Sequence, residues 1–315
     1  MQIFRSFKIS KKYMNSTIAI GNFDGVHIGH QAVIEKAKQI STQKKSKLGI
    51  LTFEPHPKCY FRNETQFFRL TPFREKLKIF INMGVDFLIN IKFDENFLKC
   101  TAIDFIKRKL VEELKVDSVV TGFDFVFGNN RVGNTKYLSD YVKKTNKFEF
   151  FVVEEVKKNM KYEISSSTIR NLLRSGDLNT ANSILTREWV VSERVIEGDK
   201  KARELGFRTA NLEVSKYCDL LKGVYMVKVN IPKRFGEKVY YGIANYGIKP
   251  TFNKSVPLLE VHIFNFDADI YKERIVVKFL KFIRPEKKFE SIVKLQDQII
   301  KDINQVKNER LFKNN

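Results

Sequence analysis

The fold of this chain is decided by residues 21–30, Gly-Asn-Phe-Asp-Gly-Val-His-Ile-Gly-His. An apolar, β-branched run at 17–23 leads into this segment, and Val33, Ala37 and Ile40 follow it at helical spacing. The pattern predicts a tight turn from a strand into a helix. In an open parallel sheet such a turn lies at the carboxyl ends of the strands, where ligands bind. We therefore expect a binding site at this turn.

The first 185 residues alternate short apolar runs with amphipathic stretches, which is typical of βαβ units around a parallel sheet. Strands are predicted at 17–23, 47–53, 85–92 and 117–121, and a helix at 102–114. Another helix is predicted to begin at Thr71 and Pro72 and to end at Gly84. Its expected buried face consists of Phe73, Leu77, Phe80 and Ile81. We expect an α/β domain at residues 1–185, with a parallel sheet and flanking helices.

After Trp189 the sequence changes to short alternating runs separated by turn residues. Strands are predicted at 190–196, 223–229, 238–244, 259–266 and 275–283, and together they indicate a small β-barrel. A final helix at 289–306 would place Ile292, Leu295, Ile299 and Ile303 on one face. We expect this second domain to span residues 186–315.

Composition and net charge limit the classes of protein to which this chain can belong. The 315 residues are 43% apolar and carry a net charge of +21, which favours two globular domains and an anionic partner: nucleic acid, a membrane surface or a nucleotide. Cys59, Cys100 and Cys218 are widely spaced, which argues against a disulfide framework or a zinc site and favours a cytoplasmic protein. We expect no secretion signal and no membrane span, because the apolar runs are short.

The histidine turn has the chemistry of a polyphosphate site. Its glycines allow close backbone approach, the N–H groups at a helix start attract phosphate, and His27 and His30 can donate hydrogen bonds. The alternative is that both histidines only cap the helix. A metal site at this pair is disfavoured because no third ligand is evident.

Two later segments could complete this site. Residues 122–128, Gly-Phe-Asp-Phe-Val-Phe-Gly, follow a predicted strand, and residues 164–170, Ile-Ser-Ser-Ser-Thr-Ile-Arg, open a helix with hydroxyls and a guanidinium for phosphate. Taken singly, Asp124 could be an ordinary loop carboxylate and the serines ordinary helix caps.

A second site is predicted in the C-terminal half. Thr209 and Asn211 alternate on an extended chain, so both would face the same side and offer hard oxygen ligands for Mg²⁺. Glu260 opens a predicted strand. A lone strand carboxylate is more often a solvated residue than a catalytic base.

The chain resembles the bacterial bifunctional riboflavin kinase and FAD synthetase family. The resemblance rests on residues 21–30, on Thr-Phe-Glu-Pro-His-Pro at 52–57, and on the segments at 122–128 and 164–170, all in the family's order. It implies a Rossmann-like nucleotidyltransferase domain followed by a riboflavin kinase barrel. The implied reactions are phosphorylation of riboflavin to FMN by ATP and adenylylation of FMN to FAD with release of pyrophosphate.

The resemblance also implies residue roles. In the N-terminal half His27 and His30 would act in catalysis, Phe123 and Asp124 would bind the flavin, and the ATP-binding residues would be Asn22, Gly29, Ser165, Ser166 and Arg170. In the C-terminal half Thr209 and Asn211 would hold Mg²⁺ and the ATP phosphates, and Glu260 would be the general base.

The sequence departs from the family pattern at four positions. Val126 stands where arginine is frequent, and Ser167 stands where threonine is usual. More seriously, Arg208 replaces a proline and Ala202 a glycine in the kinase loop, which removes a rigid residue and a flexible one beside the phosphate site.

Two other interpretations remain at this point. Another histidine-motif enzyme, such as a class I aminoacyl-tRNA synthetase, shares the His-Ile-Gly-His letters but pairs them with a lysine-rich loop that this sequence lacks. A basic RNA-binding protein with decayed sites would need clustered cations with interleaved aromatics, whereas the lysines here occur in dispersed pairs. We therefore expect small-molecule substrates and no nucleic-acid partner.

Overall fold

The computed structural model describes residues 1–62, 68–157, 162–198, 206–251 and 254–309. The chain divides into two compact units, Met1–Ser166 and Ser167–Asn315. The predicted domain boundary, between residues 185 and 186, lies further along the chain than this division, after the helices Ser166–Ser175 and Leu178–Leu185. It stays a prediction.

The first unit is built on a six-stranded sheet in the order β1-β4-β3-β2-β5-β8, in which every neighbouring pair is parallel. The strands are β1 Gln2–Phe4, β2 Thr17–Ile20, β3 Leu48–Glu54, β4 Phe87–Lys92, β5 Ser118–Gly122 and β8 Glu149–Val153. A two-stranded hairpin, β6 Val126–Phe127 and β7 Gly133–Asn134, follows β5. The predicted parallel sheet is confirmed, and β1 and β8 are edge strands that the sequence pattern did not predict.

Helices cover both faces of this sheet. They are α1 Ile28–Gln43, α2 Pro57–Arg62, α3 Phe73–Asn82, α4 Glu95–Leu98, α5 Ala102–Asp104, which continues as a π-helix Phe105–Glu113, and α6 Thr135–Thr145. Because both faces are covered, Ile18, Ala19 and Ile20 are all buried and fall alternately into two separate cores. Phe80 is buried as predicted, but the prediction for Ile81 was wrong because its side chain points outward.

The second unit is an antiparallel sheet in the order β10-β13-β12-β11-β14-β9. Its strands are β9 Trp189–Arg194, β10 Ala210–Glu213, β11 Gly223–Asn230, β12 Val239–Thr251, β13 Lys254–Ile263 and β14 Arg274–Pro285. A bridge between Ile196 and Asn211 joins the two edges, which closes the sheet into the predicted barrel. Trp189, Tyr225 and Phe279 pack in its interior.

In the described part of the second unit, four helices accompany the barrel: α7 Ser166–Ser175, α8 Leu178–Leu185, α9 Pro232–Phe235 and the predicted C-terminal helix, α10 Ile292–Asn308. Ile299, Ile303 and Val306 of α10 pack against the barrel core. The prediction for Ile292 was wrong, because the first turn of α10 is exposed there. None of the helices in the described ranges is both long and apolar enough to cross a bilayer.

Candidate functional site

The histidine turn connects β2 to α1, as predicted. His27 is buried and caps α1, because its Nδ1 accepts the His30 N–H at 3.4 Å. The two imidazole rings stack with 3.6 Å between their centroids. A neutral His27 whose Nδ1 accepts must carry its proton on Nε2, which makes that atom a hydrogen-bond donor. His27 therefore does cap the helix, and the capping itself sets the tautomer that a phosphate would need.

The backbone of this turn is held in an unusual conformation. Val26, a buried β-branched residue, has a φ of +41°, a conformation that costs about 1–3 kcal/mol and persists only where the surroundings impose it. Its N–H donates to Phe23 O, and its carbonyl accepts Gln31 Nε2 at 2.9 Å. These contacts fix the start of α1.

Asp24 anchors the turn to neighbouring segments. Its buried carboxylate accepts the N–H groups of Leu70 and Thr71 at 3.1–3.2 Å, and its carbonyl accepts the Ser166 hydroxyl at 2.8 Å. Ser166 is thereby brought to the histidine turn, with Ser165 half-buried beside it. Asp24 was not among the predicted site residues, although it lies within the quoted motif.

Asn22 and Gly29 lie on either side of the turn. Asn22 Oδ1 is buried and has no hydrogen-bond partner among the described residues, while its carbonyl accepts Lys76 Nζ at 3.1 Å and the Thr52 hydroxyl at 3.3 Å. Gly29 lies under the His27 ring, and a Cβ there would be 3.3 Å from the imidazole. A larger residue at position 29 would displace His27.

A charged cluster supports the turn and was missed by sequence reasoning. Lys76 of α3 is 1% exposed, and its Nζ lies 3.6 Å from Glu54 Oε1. Burial lowers the pKa of Lys76 below 10.5, which nearby Glu54 partly opposes. Arg69 forms a two-pronged ion pair with the same Glu54. The sequence signal that could have revealed this cluster is Lys76 itself, a lysine within the apolar stripe of the helix predicted to begin at Thr71 and Pro72.

The remaining predicted residues of this half occupy two places. Phe123 and Asp124 follow β5, next to β2 in the sheet, and both side chains are exposed. A Cβ at Gly122 would lie 3.1 Å from Asp124 Oδ1, so glycine leaves space for that carboxylate. Arg170 is buried in α7, four residues after Ser166, and belongs to the second unit.

The second predicted site lies on the outer face of the barrel. Asn211 on β10 is in register with Glu260 on β13, so the two side chains share one face about 5 Å apart at Cβ. Asn211 is 6% exposed, and its Oδ1 has no hydrogen-bond partner within the described ranges. A Cβ at Gly198 would overlap the Asn211 carboxamide, so only glycine fits there. Thr209 is half-buried two residues before Asn211.

Of the two positions in the kinase loop that differ from the family pattern, Arg208 and Ala202, the structure describes only Arg208. Arg208 pairs with Asp267 on the protein surface. Ala202 lies outside the described residues.

Comparison with known proteins identifies the family. The FAD synthetase family model matches residues 9–168, and the riboflavin kinase family model matches residues 185–309. The bifunctional riboflavin kinase/FMN adenylyltransferase of Buchnera aphidicola subsp. Schizaphis graminum is 38% identical over 98% of both chains. The chain belongs to the bifunctional riboflavin kinase/FMN adenylyltransferase family.

A second relative and a solved structure are similar to this chain over nearly its whole length. The Bacillus subtilis enzyme is 36% identical and covers 93% of this chain and 92% of its own length. A solved Streptococcus pneumoniae structure, described as a macrolide-efflux protein, has a TM-score of 0.85, with 27% identity over 98% of this chain and 100% of its own. The predicted family, fold class and order of activities are confirmed, so the synthetase-like interpretation is set aside. The expected absence of a nucleic-acid partner stays a prediction. The site residues stay predictions.

Proposed function

We propose that the first unit joins FMN to AMP from ATP, and that the second unit makes this FMN from riboflavin and ATP. The observation that carries the proposal is the match of both halves to the two family models in that order. Two further observations support it: the histidine turn and residues 123–124 follow the neighbouring strands β2 and β5, and Asn211 on β10 is in register with Glu260 on β13.

In adenylyl transfer, a phosphate oxygen of FMN attacks the α-phosphorus of ATP, the bond to the bridging oxygen of the β-phosphate breaks, and pyrophosphate leaves. We assign the phosphates to His27, His30, Asn22, Gly29, Ser165, Ser166 and Arg170. The contact of the His30 N–H with His27 Nδ1 supports this assignment, because a neutral His27 would then carry its proton on Nε2, and an N–H donor stabilises the charge that develops on the leaving group. The exposed Phe123 ring and the Asp124 carboxylate suit an aromatic flavin with polar edges.

In phosphoryl transfer, Glu260 takes the proton of the riboflavin 5′-hydroxyl as the hydroxyl oxygen attacks the γ-phosphorus of ATP. The bond from that phosphorus to the oxygen bridging the β- and γ-phosphates breaks, and ADP leaves. Thr209 and Asn211 would hold Mg²⁺, because the buried, unpartnered Asn211 Oδ1 is a hard oxygen of the kind this ion prefers. When bound, Mg²⁺ neutralises charge on the phosphate oxygens. The register of Asn211 on β10 with Glu260 on β13 supports these two assignments, because it puts both residues on one face of the barrel.

The proposed partners are small molecules only, and the proposed location is the cytoplasm, which accords with three free cysteines. We also propose that the kinase domain begins at residue 186, after α8.

A single assay tests the proposal: the purified chain is incubated with riboflavin, ATP and Mg²⁺, and the flavins are separated by chromatography. We expect both FMN and FAD. Formation of FAD only from added FMN would show that the barrel lacks kinase activity. If neither product forms, the proposed function is wrong.

Two variants separate the sites. His30→Ala should abolish FAD formation from FMN while FMN formation continues, and Glu260→Ala should do the reverse. Loss of both activities in either variant would contradict two independent sites.

A further inference from the structure

The chain segment just before Thr209 has arginine at position 208, where the family pattern has a proline that would restrict the backbone. Proline holds φ near −65° and restricts the residue before it, so proline at position 208 would limit the conformations available to the approach to Thr209. Arg208 imposes neither restriction. Because Thr209 and Asn211 must face Glu260 together, this segment needs another source of order.

The Arg208 side chain provides one connection. Its Nη1 donates to the carbonyl oxygen of Asp267 at 2.9 Å and also pairs with the Asp267 carboxylate. Asp267 follows β13, the strand that carries Glu260. One guanidinium thus holds both the backbone and the side chain of a single residue beyond the end of that strand.

The Arg208 backbone provides a second connection. Its carbonyl accepts the His262 Nδ1–H at 2.9 Å, and the His262 ring contacts the Phe207 ring edge-on at 5.6 Å. His262 lies two residues after Glu260 on β13, so the two side chains share a face. The strand that carries the proposed base therefore also holds the chain immediately before the proposed metal ligands.

We propose that His262 and Asp267 are positioning residues for riboflavin phosphorylation, which hold Arg208 in a clamp that takes the place of the missing proline. The proposal rests on the proposed kinase function of the second unit. Both anchors are carried by β13 and the residues just after it, so the clamp sets the placement of Thr209 and Asn211 relative to Glu260.

A rescue experiment tests the clamp in the full-length protein. Asp267→Ala and Arg208→Ala should each lower kcat/KM for riboflavin phosphorylation about threefold, since exposed ion pairs contribute about 0.2–1 kcal/mol. The double variant should be no worse than either single variant. His262→Ala should lower it about fivefold, the equivalent of one ordinary hydrogen bond. FMN adenylylation by the same molecules should not change.

The decisive variant combines Arg208→Pro with Asp267→Ala. Among the described residues the Arg208 N–H donates no backbone hydrogen bond, so proline breaks none. If the clamp replaces proline, this combination should restore kinase activity to within twofold of the unaltered protein. A residue with a merely structural role would not be rescued in this way.

Arg194→Ala is the matched control, because Arg194 Nη1 donates to the Lys272 carbonyl at 2.9 Å elsewhere on the barrel, and its kinase activity should stay unchanged. Failure of Arg208→Pro to rescue, or unchanged activity in both Asp267→Ala and His262→Ala, would overturn the clamp alone. If the unaltered protein forms no FMN, the proposed kinase function falls, and the clamp with it.

Discussion

At the residue scale, Lys76 connects the charged cluster to the proposed adenylylation site. Its ammonium donates to the Asn22 carbonyl, and the Asn22 carboxamide oxygen is buried with no partner within the described ranges. Lys76 thus fixes the backbone of a residue that we assign to ATP. Glu54, held by both Arg69 and Lys76, keeps the ammonium in place.

Replacing Lys76 should therefore damage one activity selectively. Lys76→Met removes a charged hydrogen bond of about 1.5–3 kcal/mol, so kcat/KM for FMN adenylylation should fall at least about tenfold while riboflavin phosphorylation is retained. Lys78→Met is the control on the same helix, because Lys78 is exposed and pairs only with Glu75 among the described residues. Equal adenylylation rates in the two variants would contradict the role of Lys76.

The same variant should show a pH signature. Because burial lowers the pKa of Lys76 in the folded protein, the unfolded chain binds more protons between that pKa and 10.5. The free energy of unfolding of the first unit should therefore rise with pH through this window, and Lys76→Met should lack that rise. Hydrogen exchange of β2 and β3 peptides, compared between the two proteins at increasing pH up to 10.5, measures the difference.

The sequence predicted site residues that lie within contiguous motifs, such as His27 and Ser166. It could not predict Lys76, Arg69 or His262 as supporting residues, because their partners are distant in sequence and meet only in the folded chain. A lysine within the apolar stripe of a predicted helix, such as Lys76, does indicate from sequence a buried charge with a partner. A histidine two residues after a candidate base, such as His262, gives no comparable sequence signal.

At the element scale, the C-terminal helix α10 is held to the barrel by one buried ion pair as well as by apolar contacts. Asp302 is 2% exposed and accepts hydrogen bonds from Arg284 Nε and Nη2 on β14 and from Gln298 Nε2, at 2.8–3.0 Å. Val306 packs one turn further on. Removing the Asp302 carboxylate would leave the largely buried guanidinium of Arg284 without an opposite charge beside it.

Asp302→Ala should destabilise the second unit by about 3 kcal/mol, the lower end of the range for breaking a buried pair, because Arg284 keeps its bond to the Pro285 carbonyl. The fluorescence of Trp189, the chain's single tryptophan, reports unfolding of this unit in urea. Glu290→Ala, which breaks the exposed pair with Lys294, should change stability by less than about 0.5 kcal/mol. A loss below about 1 kcal/mol in Asp302→Ala would contradict the assigned role.

Helices and strands were predicted unequally well for physical reasons. The helix at 102–114 has a strong apolar period and was located within one residue, although most of it is a π-helix. The strand β12 continues past its predicted end at 244 to Thr251, and β13 begins at Lys254 rather than at 259, because the two strands stay paired along this whole hairpin. The edge strand β8 was not predicted, although four of its five residues are apolar.

At the scale of the whole molecule, the net charge of +21 is the most unusual feature of the composition. This excess remains after all 36 carboxylates are counted, so ion pairs in the first unit, in which Lys44 lies between Asp117 and Glu149 and Lys47 pairs with Asp86, do not reduce it. The basic pairs at 44–45, 143–144, 157–158 and 287–288 are far apart in the sequence. The two proposed sites use few cations, chiefly Arg170.

A dispersed charge of this kind should not create a nucleic-acid site. We expect the protein to bind single-stranded RNA more weakly than about 10 μM at 150 mM salt, within the range of non-specific electrostatic contact, and to lose that binding steeply as salt rises. Fluorescence anisotropy with a labelled 20-nucleotide RNA measures the affinity, and riboflavin phosphorylation in the same buffer shows that the protein is folded. Micromolar or tighter binding that survives raised salt would contradict this view, because it requires aromatic stacking or base contacts in addition to charge. Competition by ATP would then distinguish RNA held at the proposed phosphate sites from RNA held elsewhere on the surface.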